Sequence, residues 1–194
     1  MCAACHPVIG GHRVRGVLLL DAPVISGWRA RTLELLKRTQ LVGAVSPGKV
    51  SRQRRNTWPD AQAAHQHFAR KSAFARWDPQ VLRDYIDRGT VDEPTAQGTR
   101  RVLAFDRAVE TAIYNTLPHN LDRLLRRHPL PCPVGFVGGS DSLEMRQVGM
   151  ALTRRLVGQH PERLLTVPGS HLFPMERPHD SAAAIESVLR AFQT

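Results

Sequence analysis

Pro168-Gly169-Ser170-His171-Leu172-Phe173-Pro174-Met175-Glu176-Arg177-Pro178 is the stretch on which the fold turns. A short apolar run, Leu164-Leu165-Thr166-Val167, precedes it, and an amphipathic run beginning near Asp180 follows. The first run has strand length and the second helix length. His171 therefore sits in a Gly-Ser turn just past a strand and just before a helix, where α/β folds carry their chemistry. An ordinary imidazole pKa near ~6.5 suits it to move protons at neutral pH. The plainer alternative is that His171 only satisfies its turn by hydrogen bonding, and position alone does not separate the two.

Upstream of that stretch the same grammar repeats. Cys132-Pro133-Val134-Gly135-Phe136-Val137-Gly138 reads as an apolar strand closed by Gly138-Gly139-Ser140-Asp141. A helix is expected after it, through Leu143, Val148, Met150, Ala151, Leu152 and Leu156, stopped by Gly158. Ala183, Ile185, Val188, Leu189 and Phe192 give the last helix an apolar stripe. Strand, helix, strand, helix implies right-handed crossovers and a parallel sheet. Near the amino terminus, Val17-Leu18-Leu19-Leu20 reads as a third strand covered on both faces, ended by Asp21-Ala22-Pro23. Asp21, Asp141 and His171 thus all fall at carboxyl ends of strands. An aspartate and a histidine after adjacent strands can hydrogen bond, which fixes the imidazole tautomer. Asp141-Ser142-Leu143-Glu144 also fits a helix capping box, a structural role for Asp141.

From Ser26 to about His128 the pattern is helical. Trp28, Leu33, Leu35, Leu36 and Leu41 mark one segment, and Ala64, Phe68, Ala69 and Phe74 another. Asp78-Pro79 predicts a helix start, Gly89 a stop, and Asp106 a further cap. Thr90 to Arg101, polar and carrying Pro94 and Gly98, is expected to be a loop, with Val102 to Phe105 a short extended piece.

Taken in order, the Asp21 turn, the helical insertion, Gly138-Gly139-Ser140-Asp141, Gly169-Ser170-His171 and Pro174-Met175-Glu176-Arg177-Pro178 resemble the carboxyl-terminal part of an α/β-hydrolase. The resemblance covers Ala3 to Phe192. It implies an α/β fold with a parallel sheet, flanking helices and a helical lid, the core being 1–25 and 129–194 and the lid 26–128. It implies hydrolysis of an ester or related small-molecule bond by a nucleophile–histidine–acid mechanism. His171 would be the general base and Asp141 the acid that orients it, with Asp21 as runner-up. Trp28, Trp58, Phe68, Phe74, Trp77 and Tyr114 would line the substrate pocket. The family's nucleophile elbow, Gly-x-Ser-x-Gly, occurs nowhere in the sequence. The chain is accordingly expected to start just downstream of the elbow and to be inactive by itself. The strand at 17–20 would lack a neighbour, and its open edge invites self-association. The alternative from another class is a non-catalytic binding or interaction module.

Composition bounds the partners. No run of 18 apolar residues occurs, so no membrane partner is expected. Three cysteines, Cys2, Cys5 and Cys132, cannot all pair, which favours a reducing, cytoplasmic setting. Cys2, Cys5 and His6 have a metal-like spacing, but zinc would need two further ligands, and the segment reads better as the end of a packed helix. No metal or cofactor is expected. Lys49, Arg52, Arg54 and Arg55 read as a solvated face, or inside a lid as an attractor for an anionic substrate group. The formal charge is +10, yet Lys37, Lys49 and Lys71 are the only lysines and the remaining cations are arginine, a bias that can be compositional. No nucleic-acid motif accompanies it. The chain should not be retained by duplex DNA in a low-salt mobility-shift assay, and tight, strongly salt-dependent association would contradict this reading.

Overall fold

The computed structural model describes residues 14–27, 30, 32, 48–116, 118 and 120–193. In chain order the elements are β1 (Val17–Leu20), α1 (Gly48–Gln53), β2 (Thr57–Trp58), α2 (Ala61–Ala69), α3 (Pro79–Gly89), β3 (Thr90–Thr95), β4 (Gly98–Leu103) and α4 (Arg107–Asn115). There follow α5 (Leu121–Arg127), β5 (Val134–Gly139), α6 (Leu143–Val148), α7 (Ala151–Val157), a 3-10 turn (Pro161–Arg163), β6 (Leu164–Val167), α8 (Phe173–Glu176) and α9 (Pro178–Arg190). They divide into two compact units, Met1–Glu34 with Pro118–Thr194 and Leu35–Leu117.

The first unit is built on the expected parallel sheet, in the order β1-β5-β6. β5 is the central strand, pairing Val17 with Val134 on one side and Phe136 with Leu164 on the other. Being covered on both faces, it is apolar throughout rather than alternating. Leu19, Val134 and Phe136 pack with Met145, Leu152 and Val157 on one face. Val137, Val167, Phe173 and Val188 form the core of the other. α9 lies directly on β5, since a Cβ at Gly135 would come within 2.3 Å of Val188. The inward face of α9 runs through Ser181, Ala184, Ile185 and Val188, whereas Ala183 and Leu189, assigned to it from the sequence, are exposed. The single helix expected over Leu143 to Leu156 is broken into α6 and α7 at Gly149, whose φ of 81° ends the first.

α5 was expected to belong to the lid and lies instead in the first unit. The physical tie is Asp122, which accepts from Arg126 on its own helix and from Arg155 on α7. Those hydrogen bonds, that to Arg126 foremost, hold its carboxyl below the usual carboxylate range.

The second unit is not purely helical. Thr90 to Leu103, expected to be largely loop, is a β-hairpin, and β2-β4-β3 form an antiparallel sheet. Facing residues across the β3–β4 ladder include the charge pairs Glu93 with Arg100 and Asp92 with Arg101 in place of an apolar alternation. Pro94 is accommodated because β3 is an edge strand. Arg101 also joins sheet to helix, donating to Thr90 Oγ1 at 2.6 Å and to the Ile86 carbonyl at the end of α3 at 3.1 Å. The expected caps are present: Asp78 accepts from Gln80 N at 2.7 Å and Asp106 from Ala108 N at 2.7 Å. Arg54 is paired with Glu110 and lies over the Phe105 ring, and Arg55 lies over Trp58, so half of the basic cluster is engaged within the unit.

Trp58, Ala64, Phe68, Leu82, Ile86 and Leu103 are the core of this unit. Phe68 is its centre, with ring centroids of Trp58, Phe74 and Tyr85 at 5.3, 4.9 and 5.2 Å. Phe68→Ala should cost about 3–5 kcal/mol in urea denaturation followed by tryptophan fluorescence. A loss under about 1 kcal/mol would contradict the assignment of Phe68 to a packed core.

Candidate active site

The site is assembled at the carboxyl end of the parallel sheet. Asp21 follows the last residue of β1 and takes φ 43°, a left-handed conformation rare outside glycine. Its backbone N–H is held by the Val137 carbonyl at 2.7 Å, and this turns the side chain inward over β5. The carboxylate is 1% exposed. One oxygen accepts from Gly139 N at 2.9 Å, and the other from Ser142 Oγ and from His171 Nδ1, the latter at 2.7 Å.

His171 comes from the opposite side, in the turn after β6. The loop is anchored below by Phe173, which is fully buried. Glu176 fixes it from within, accepting the Ser170 N–H at 3.0 Å and the Ser170 hydroxyl at 2.5 Å. The Ser170 hydroxyl in turn accepts the Leu172 N–H at 3.1 Å. Gly169, at φ 146°, leaves no room for a side chain, since a Cβ would stand 2.8 Å from both Glu176 Oε2 and Phe173 Cβ.

Asp21 and His171 meet across the end of the central strand because that end carries two glycines. A Cβ at Gly139 would come within 2.1 Å of the Ser170 carbonyl oxygen. A Cβ at Gly138 would meet the Phe136 ring at 2.5 Å and Asp21 Oδ1 at 3.0 Å. An ionised carboxylate only accepts, so His171 Nδ1 carries the proton and Nε2 keeps its lone pair. The imidazole side chain is 35% exposed, which leaves it accessible to a reacting group. Such a ring can take a proton at Nε2 while the buried carboxylate stabilises the resulting cation.

The carboxylate against the imidazole is therefore Asp21 and not Asp141, the acid favoured from the sequence. The reason is strand order. Adjacency of β5 and β6 favoured Asp141, but the geometry reaches over β5 from β1. Asp141 is exposed, accepts from Ser140 Oγ at 3.1 Å, and through its backbone N–H holds the Gly169 carbonyl at 2.8 Å. Nor does Asp141 cap α6: Ser142 does, accepting from Met145 N at 3.1 Å. Ser142 and Gly139 were not singled out from the sequence as partners of the acid, and the Gly-Gly-Ser-x-Ser run closing β5 was the available signal.

Of the proposed pocket residues, Trp58, Phe68, Phe74 and Trp77 pack on one another in the second unit. Trp58 and Phe68 are buried in its core, where large aromatic rings fill space. Tyr114 is half-buried on α4. Trp28, like Cys2, Cys5 and His6, lies outside the described residues. A cleft of about 390 Å³ opens beside Asp21, walled by Phe136, Gly139, Ser142, Met145 and Leu164. Among the described residues no helix is long and apolar enough to cross a membrane.

The sequence matches no model of a known protein family and no curated protein sequence. Solved structures do match. E-2-(acetamidomethylene)succinate hydrolase is similar with a TM-score of 0.61 at 21% identity, over 97% of this chain and 60% of that one. The peroxisomal alpha-beta-hydrolase of Saccharomyces cerevisiae gives 0.62 at 15% identity, over 99% of this chain and 48% of its own. An esterase of M. tuberculosis gives 0.58 at 20%, over 97% and 57%. The chain thus spans between about half and three fifths of the structures it resembles. Its parallel sheet with flanking helices is a partial α/β-hydrolase fold.

Proposed function

We propose that this chain carries the base and the acid of a hydrolase acting on an ester or related small-molecule bond, with the nucleophile lying outside these 194 residues. The observation that supports this reading is the Asp21–His171 hydrogen bond of 2.7 Å. His171 Nε2 takes the proton of an attacking hydroxyl and later returns it to the leaving group. Asp21 holds the ring in the tautomer that allows this and offsets the imidazolium charge. The similar structures are hydrolases and esterases by description, which favours the same reaction class.

A second reading is a non-catalytic interaction module. It rests on β1, which among the described residues pairs with β5 alone and leaves Leu20 40% exposed at its end.

A fluorogenic ester assay on the protein extended upstream to include a Gly-x-Ser-x-Gly elbow tests the first reading. Turnover should fall about 10³–10⁴-fold in His171→Ala and in Asp21→Asn, and remain within severalfold in Asp141→Asn. Equal turnover with alanine at 171 would refute the base, and no turnover in the extended protein would favour the module. Gly139→Ala should also lower kcat at least tenfold, because the new methyl displaces the Ser170 backbone and with it the imidazole. Wild-type kcat in Gly139→Ala would mean that the loop position is not needed.

A further inference from the structure

Glu144 stands on the first turn of α6, two residues after Ser142. Ser142 pins the start of that helix to the carboxylate that also holds His171. As a result, one carboxylate oxygen each of Asp21 and Glu144 and a ring nitrogen of His171 lie within 4.8 Å of one another. We propose that this cluster is a binding site for a divalent transition-metal ion of the zinc type, with His171 Nε2 and Glu144 as ligands and Asp21 behind the ring.

The donor set decides the class of ion. An imidazole with carboxylates suits Zn²⁺ and its neighbours, whereas Mg²⁺ and Ca²⁺ favour shells made of oxygen alone. Charge agrees, since Glu144 on the ion and Asp21 behind a neutral ring together offset a dication. Glu144 is exposed and the His171 side chain is 35% exposed, so a hydrated ion can reach both, with water completing the shell. Asp21 is already placed as a metal-bound histidine requires. It accepts the Nδ1 proton from behind, which orients the ring and makes Nε2 a better ligand. The exposed Glu144 side chain has the freedom to close on an ion that His171 has captured. An ion on Nε2 uses the lone pair that the proposed base needs. Metal binding and proton acceptance are therefore mutually exclusive, and the ion acts as an inhibitor and not as a cofactor. The site stands on the arrangement of donors and holds whether or not the chain belongs to a hydrolase.

Titration calorimetry with ZnCl₂ tests this on the 194-residue chain carrying Cys2→Ser, Cys5→Ser and His6→Ala, which removes the amino-terminal donors. Glu144→Gln, an exposed change, should weaken binding tenfold or more. Asp21→Asn should weaken it by about 10–100-fold through loss of the ring's support. In the protein that retains Glu144, saturating Zn²⁺ should shift the His171 imidazole ¹⁵N resonances, and MgCl₂ at the same concentration should not. Unaltered affinity in Glu144→Gln, or His171 resonances that do not move at saturation, would overturn the site. An equal shift with Mg²⁺ would overturn the class of ion.

Discussion

A carboxylate 1% exposed to solvent is the constraint around which this site is organised. Removing a charge from water is costly unless donors replace the solvent, and Asp21 has three: a backbone N–H of β5, the hydroxyl that starts α6, and the imidazole after β6. Each comes from a different segment, so satisfying one buried group fixes three positions at once. Losing the carboxylate would leave the Ser142 hydroxyl and the Gly139 N–H unpaired near the core, which costs more than any single bond contributes. Placement of the imidazole and integrity of this end of the sheet are thus the same problem.

The glycine pair at 138–139 is the second half of that solution. A central strand would ordinarily separate groups on its two flanks by its own side chains. With none there, the Asp21 carboxylate and the Ser170 backbone approach to distances that a methyl group would forbid. The histidine loop is then rigid by construction, with Phe173 buried beneath it and Glu176 bonded twice to Ser170. Backbone strain at Asp21 is tolerated because its N–H bond to Val137 and its three donors over-determine the turn.

Much of the first unit was legible in the sequence for a physical reason. Runs of four to six apolar residues closed by Gly or Pro have few structural alternatives, and they located β1, β5, β6 and the His171 turn. Choosing between Asp21 and Asp141 was a different kind of question. It depends on strand order and on which carboxylate the pleat turns inward, and neither is written locally. In the second unit, Asp78 and Asp106 signalled helix starts faithfully because capping is a local interaction. The hairpin at Thr90–Leu103 stayed hidden because its facing residues are largely charged or polar, a segment that carries no period-two hydrophobic signal. Trp58, Phe68, Phe74 and Trp77 were candidates to line a pocket although such aromatics more often fill a core, and only burial distinguishes the two.

The tautomer of His171 tests the account most directly. Long-range ¹H–¹⁵N correlation spectra of the neutral imidazole should show Nδ1 protonated and Nε2 bare, with this preference lost in Asp21→Asn. A wild-type ring protonated at Nε2, or a tautomer indifferent to residue 21, would contradict the pairing on which the site is built.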